Sequence, residues 1–418
     1  MQSIKEFVKK EIVLVVAVVL ALVSMLFITP DREYINYIDF KTLSILFCLM
    51  AVMAGLQEVG VFQYVAEKLL LKVKRLWQLT MILVMLCFFF SMLITNDVAL
   101  ITFVPFAFIV LGLLGEEKER TLIIPVVVMQ TIAANLGSML TPIGNPQNLY
   151  LYGKAGLGLG EFLVLMLPYT VVAFVLLAGY CLYLGRSGAG AQKSKHAKVV
   201  DELHSERVPE QGTDKAQPSK SVATQNPTLE QPEIAVVFEQ QTNLQGKGGA
   251  IAGYLLLFLL SLLTVARVLP YLITLCVVII ALLLCNRRLF AKIDYSLLFT
   301  FVGFFVFIGN MGRVPAFCNF LQGIIAGNEV LTAVVSSQVI SNVPAALLLS
   351  GFTDNYEALI LGTNLGGLGT LIASMASLIS YKYIVKENKC GKGAYFGFFT
   401  ITNIIFLIVL MLLWVCIG

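Results

Sequence analysis

The sequence predicts an all-α polytopic membrane protein with two inverted-topology repeats, each holding a re-entrant helical hairpin and a broken transmembrane helix. Three observations lead there. The 418 residues are 58% hydrophobic and 13% charged, whereas ordinary soluble domains carry about 25% charged residues. Apolar runs long enough to cross a bilayer, about 20 residues each, recur along the chain. Short polar motifs of the first half also return, in the same order, in the second.

Taken in order, crossings are expected at 11–29, 38–57, 121–153, 160–184, 250–266, 269–285, 294–311, 357–381 and 394–417. The first lacks a small-residue cleavage site and runs into Thr29-Pro30-Asp31-Arg32, so no cleavable signal is expected. Asp39 and Asp294 stand where spans begin and read as helix caps. Between Arg186 and Gly248 the composition turns to Lys, Glu, Gln, Ser and Pro. A disordered cytoplasmic linker is expected over 186–248. It separates a first repeat, 1–185, from a connecting span plus a second repeat at 249–418.

The repeat rests on three matches. Ile38-Asp39-Phe40 corresponds to Ile293-Asp294-Tyr295, Ile94-Thr95-Asn96-Asp97 to Ile340-Ser341-Asn342-Val343, and Ala134-Asn135-Leu136-Gly137 to Thr363-Asn364-Leu365-Gly366. Charge sets the orientation. With the N-terminus inside, seventeen Lys and Arg fall in inner segments, against Arg32, Lys41, Lys154, Arg267 and Arg313 outside. The extra span at 250–266 makes the connection odd and inverts the second half, leaving the C-terminus outside. A multi-pass protein of the cytoplasmic membrane follows, with the lipid bilayer as its partner and no nucleic acid.

Two apolar segments behave differently, although 76–115 could by length alone be two full spans. In 329–352 the arms around Ser341-Asn342 are too short to span about 30 Å of hydrocarbon. Segment 76–115 is flanked at both ends by charged residues that belong inside. Both read as re-entrant hairpins, opening from opposite sides, with tips near the midplane. The spans that follow carry helix breakers. In 121–153 the break reads Thr141-Pro142-Ile143-Gly144-Asn145-Pro146-Gln147-Asn148, and in 357–381 it reads Asn364-Leu365-Gly366-Gly367-Leu368-Gly369-Thr370. A broken helix frees N–H groups at one half-helix end, which suit an anion, and carbonyls at the other, which suit a cation.

Asp97 is the one charged residue between Leu76 and Gly115. A lone charge in hydrocarbon costs about 2.5–3.5 kcal/mol even on insertion scales, so it needs a partner or a proton. The apolar core offers no Lys, Arg or His, since both histidines, His196 and His204, fall in the linker. A bound cation or H⁺ remains, although Asp97 could also serve as a cap for the returning arm. The eight cysteines are scattered through apolar runs without metal or disulfide spacing and read as packing residues. Glu58 and Arg313 read as interfacial charges.

The tips and the stretch TPIGNPQNLYLY together resemble the ion transporter superfamily. It includes divalent-anion/sodium symporters, citrate–metal transporters, and the arsenite-permease and sodium/proton-antiporter branch. Dicarboxylate members typically read Ser-Asn-Thr at both tips. Here the tips read Thr95-Asn96-Asp97 and Ser341-Asn342-Val343-Pro344, and the Asn-Asp pair is more like the arsenite-permease branch. The resemblance implies a homodimer with elevator-like movement of the hairpin-bearing parts. The function expected is ion-coupled secondary transport of a small carboxylate or inorganic oxyanion. Thr95, Asn96, Asn145, Gln147, Asn148, Ser341, Asn342, Asn364 and Thr370 are the expected substrate residues. Asp97, Asn96, Gly144, Asn342, Gly366 and Gly367 are expected to hold the coupling Na⁺ or H⁺. No cofactor and no structural metal are expected. No G-x-x-x-x-G-K-[ST] loop for ATP is present. The alternatives are Na⁺/H⁺ antiport or arsenite efflux. An intramembrane hydrolase would need a nucleophile with a base or a pair of acids, and a passive channel would not need two opposed hairpins.

Overall fold

Hydrophobic length and helix breakers, read along the chain, account for most of the elements. A computed structural model describes residues 11–70, 73, 75–112, 114, 116–205, 244, 246–387 and 391–417. The chain is an all-helical polytopic membrane protein. Among the described residues, five helices are long and apolar enough to cross a membrane: Phe40–Val59, Glu119–Ser138, Leu159–Leu184, Gly248–Val265 and Lys392–Ile417. Tyr295–Met311 with Pro315–Ile325, bent by 106°, makes a sixth if the pair is one span. The runs expected as crossings at 11–29 and 269–285 are shorter helices, α1 (Ile12–Ser24) and α11 (Tyr271–Cys285).

The same order of elements runs twice. In the first half α2 (Glu33–Tyr37) leads to α3 (Phe40–Val59), α4 (Val61–Leu70), the hairpin α5 (Leu76–Ser91) and α6 (Asn96–Gly112), and the broken pair α7 (Glu116–Ser138) and α8 (Pro146–Ala155). Helix α9 (Leu159–Ser205) and α10 (Gly248–Val265) follow, then α11. In the second half come α12 (Tyr295–Met311), α13 (Pro315–Ile325), the hairpin α14 (Glu329–Ile340) and α15 (Asn342–Leu349), the broken pair α16 (Tyr356–Leu365) and α17 (Met375–Glu387), and α18 (Lys392–Ile417). Asp39 and Asp294 do cap α3 and α12, each accepting the N–H three residues on, from Thr42 and Leu297, at 3.0 Å.

The linker expected at 186–248 is corrected at its start. The backbone stays helical through Ser205, over a stretch with Ala, Gln, Lys and Glu, which are good helix formers. Residues 206–243 lie outside the described residues. The sequence reading also missed α4 and α13. Each turns sharply off a span, α4 after the left-handed Gly60 (φ 91°) and α13 through the 106° bend. Each is amphipathic, which periodicity could have revealed.

The helices form two groups. Helices α1, α3, α10, α11 and α12 pack on one another, and both hairpins and broken pairs pack with α9 and α18. The groups meet where α3 touches α8 and α12 touches α15. In the first group small residues allow close approach: Gly303 lies on the Ala17 backbone, and Gly55 and Gly309 lie under the rings of Tyr254 and Tyr37. Asn310, fully buried, donates to Ser24 Oγ at 2.9 Å and to Tyr34 Oη at 2.8 Å. Glu58 and Arg313 are paired at the edges, Glu58 with Lys292 at 2.8 Å and Arg313 with Asp31 at 2.7 Å. The Arg313 guanidinium, by its hydrogen bond, holds the Asp31 carboxyl below the usual carboxylate range. Exposed pairs of this kind add little stability.

Candidate functional site

Each hairpin tip docks onto the break of its own half in the same way. The Asn96 N–H donates to the Gly144 carbonyl at 3.2 Å, and the Asn342 N–H donates to the Ala373 carbonyl at 2.9 Å. Each tip Asn then folds its side-chain oxygen back onto the next N–H, from Asp97 at 2.9 Å and from Val343 at 3.0 Å. Each of these bonds takes up a first-turn N–H of the returning helix, which has no intrahelical partner. The returning loop is held from the break side as well. Thr141 Oγ1 donates to the Met92 carbonyl at 2.5 Å, and Thr370 Oγ1 to the Gln338 carbonyl at 3.2 Å. Thr141 and Gly144 therefore correspond to Thr370 and Ala373, at the offset that already relates Asn135 to Asn364. The same offset pairs Asn145 with Ser374 and Asn148 with Ser377.

These equivalent residues reach across to the opposite half. Asn145 Nδ2 donates to Asn364 Oδ1 at 3.2 Å, and Ser374 Oγ donates to Asn135 Oδ1 at 2.9 Å. Asn364 Nδ2 donates to Asn148 Oδ1 at 2.6 Å, and Asn135 Nδ2 to the Gly367 carbonyl at 3.3 Å. Asn96 Nδ2 joins through Asn135 Oδ1 at 3.0 Å. All these amides are buried. A buried polar network of this kind fixes one arrangement when its members are satisfied.

Some members are not satisfied within the protein. The Gln147 amide is buried and neither Oε1 nor Nε2 has a hydrogen-bond partner; Asn145 Oδ1 and Asp97 Oδ1 are in the same state. Buried polar atoms left without a partner point to a ligand, an ion or water. Asp97 lies in the first turn of α6, and the N–H two residues on, that of Ala99, goes to the Thr95 carbonyl at 3.0 Å rather than to the Asp97 side chain. No cation pairs with Asp97 among the described residues.

The docked tips and crossed amides bring four helix N-termini together, those of α6, α8, α15 and α17. The C-terminal ends of α5, α7, α14 and α16 adjoin them. N-termini carry about half a positive charge each and C-termini the opposite, so one centre can hold an anion beside a cation.

Of the expected site residues, the structure joins Asn96, Gly144, Asn145, Asn148 and Asn364 directly. Gly367 enters through its carbonyl and Asn342 lies against it, 3.1 Å from where a Gly367 side chain would begin. Gly366 gives its carbonyl to Gln338 Nε2 at 3.0 Å. Thr370 is exposed and bonded to Gln338 rather than to the amides. Thr95 is half-buried without a side-chain bond, and Gln147 stands beside Asn148 with its amide free. The sequence reading left out Asn135, Thr141, Gln338 and Ser374 as site residues. The common offset of the two breaks was the available signal.

Ser341 is held at φ 75° and ψ 154°, a region that is essentially glycine's. Ser341→Gly is expected to stabilise the fold by about 1 kcal/mol by removing that strain. A thermal melt in detergent checks it, and a lowered midpoint would show that the weak Oγ contacts to Asn342 and Ala373 outweigh the strain.

Crossing helices, paired hairpins and a doubly docked polar centre define a multi-pass membrane transporter. The sequence profile of the citrate transporter (CitMHS) family matches residues 7–356, and the chain belongs to that family. It is a membrane transporter of that type. The chain is 29% identical over 381 residues to the uncharacterized transporter MJ0456 of Methanocaldococcus jannaschii, covering 90% of each. It is 28% identical to the inner membrane protein YbiR of Escherichia coli, over 82% of this chain and 80% of that one. It is 27% identical to the human P protein over 44% of this chain and 23% of that protein.

Proposed function

We propose that the chain is an ion-coupled secondary transporter that moves a small anion, a carboxylate such as citrate or an inorganic oxyanion, across the cytoplasmic membrane with Na⁺ or H⁺. The observation that carries this reading is the meeting of four helix N-termini, one of which carries the partnerless Gln147 amide in its first turn. N-termini attract anions without any fixed cationic side chain. Gln147, Asn145 and Asn148 then orient the anion, with Thr95, Asn96, Ser341, Asn342, Asn364 and Thr370 completing the surroundings. Asp97, next to the docked Asn96 and the Gly144 turn, holds the coupling ion, and the C-terminal carbonyl ends supply its remaining oxygens.

Movement of the hairpin-bearing group against the other five helices would expose the centre to each side in turn. The two inverted repeats and the N-terminus-inside orientation belong to this proposal, as do the homodimer and the absence of any cofactor. A second reading, Na⁺/H⁺ antiport or arsenite efflux, is favoured by one feature: among the described residues, the one charge at the centre is acidic. Uptake into proteoliposomes separates the readings. Citrate, succinate, arsenite and sulfate are tested under separate Na⁺ and pH gradients. Gradient-driven accumulation of one of the anions is expected; Na⁺/H⁺ exchange that ignores every anion would overturn the first reading in favour of the second.

A further inference from the structure

A second polar feature lies where the two helix groups meet, and none of the residues that line it belongs to the polar centre. A cavity of about 200 Å³ is lined by Asp39, Lys41, Thr42 and Ile45 of one group, and by Leu149, Tyr152, Gly153 and Lys154 of the other, with Val265 and Arg267 from the end of α10. Its apolar floor is buried: Ile45, Leu149, Tyr152 and Val265. Its rim carries three cations and one carboxylate. That carboxylate is already engaged, since Asp39 accepts from Thr42 N at 3.0 Å and from Thr42 Oγ1 at 2.6 Å. Arg267 is fixed in place. It donates to the Gly156 carbonyl at 3.0 Å and the Tyr152 carbonyl at 3.3 Å, and lies 5.2 Å from the centre of the Tyr152 ring. Lys154 lies 6.0 Å from the Tyr150 ring, and neither it nor Lys41 meets a carboxylate among the described residues.

We propose that this pocket is an anion-binding site for a carboxylate- or phosphate-bearing group, distinct from the transport centre. A concave pocket with an apolar floor and a few convergent polar groups is the form small-ligand sites take. Two cations left without partners on a low-dielectric wall focus field lines and concentrate anions there. The volume admits a molecule the size of citrate or the headgroup of an anionic lipid, and both bring the same chemistry. Because its walls come from both helix groups, a bound anion bridges them and favours the arrangement in which they close around it. The assignment rests on the pocket and not on the transported substrate.

The test uses the full-length protein, first in a nonionic detergent and then in phosphatidylcholine nanodiscs. Citrate and inorganic phosphate are titrated calorimetrically, at low and at high salt. Among the described residues neither lysine has a hydrogen bond to the fold and both are exposed, so Lys41→Gln with Lys154→Gln removes charge without opening the core. The double variant is expected to bind at least one probe about tenfold more weakly than the wild type at low salt, with the difference shrinking at high salt. In the Asn145→Ala variant, impaired at the centre, the pocket's binding should persist. If no anion is transported yet the lysine-dependent binding remains, the proposed function fails and the pocket stands. Adding phosphatidylglycerol to the nanodiscs identifies the source: competition with citrate that disappears in the lysine variant assigns the site to a lipid headgroup and supports it equally. Equal binding by wild type and double variant, or binding of neither probe in either medium, would overturn the proposal.

Discussion

Asp97→Asn is expected to abolish the dependence of transport on a Na⁺ or pH gradient. The substitution keeps the shape and a capping oxygen but removes the charge. Asp97 Oδ1 is buried without a partner, and among the described residues no cation pairs with the half-buried carboxylate, so on the proposed function a bound cation or proton makes the charge tolerable there. Capping does not explain the residue: Asp97 lies inside the helix, and the N–H two residues on, that of Ala99, goes to the Thr95 carbonyl at 3.0 Å. Concentrative uptake should therefore collapse, while exchange of substrate down its own gradient can survive. Counterflow and gradient-driven uptake in proteoliposomes separate these two. Wild-type accumulation by the Asn variant would remove Asp97 from the coupling mechanism. A melt in detergent serves as the control for folding, and the midpoint should hold or rise, since the buried charge is gone.

Gly144→Ala is the second large effect expected. A Cβ there would sit 2.1 Å from the Ser138 carbonyl oxygen and 2.7 Å from the Ser138 Cα. Both are backbone atoms, so no side-chain rotation relieves the clash, and the turn between α7 and α8 must open. Opening it also loosens the Gly144 carbonyl that receives the Asn96 N–H. A loss of about 3 kcal/mol is expected, at the upper end of what overpacking usually costs. Transport should fall with it, because the tip, the break and the Asn145–Asn364 bond share this turn. Gly253→Ala is the matched control: nothing lies within 4 Å of its added Cβ, so stability and uptake should be unchanged or slightly improved. Thermal melts and uptake on the same preparations decide it. A Gly144→Ala protein as stable as the wild type would show that the turn relaxes without effort.

Hydropathy and helix breakers are local properties, and this chain's architecture was legible from them. The run cut by Ser341-Asn342 has arms too short to cross, and the run cut by Thr95-Asn96-Asp97 is flanked at both ends by charged residues. Two spans break because Pro142, Gly144 and Pro146, or Gly366, Gly367 and Gly369, interrupt them. The amphipathic α4 and α13, of 10 and 11 residues, fall in the gaps between the expected spans and are too short and too mixed to register as crossings.

The polar centre was legible only in part. Asn96, Asn145, Asn148 and Asn364 stand out as amides at membrane depth, and the structure does bring them together. Which amide bonds which was not readable. The partners Asn145 and Asn364 are 219 residues apart, and Ser374 and Asn135 are 239 apart. Nor could the sequence show that Thr370 is taken up by Gln338, or that Asn135 belongs with Asn96. By itself the sequence determined the helices, hairpins, breaks and the isolated carboxylate, because each depends on residues within one turn or one span. The tertiary structure alone decided the crossed pairing of the halves, the convergence of four helix N-termini and the basic pocket between the two groups. Those depend on how distant segments share space, which no local periodicity encodes.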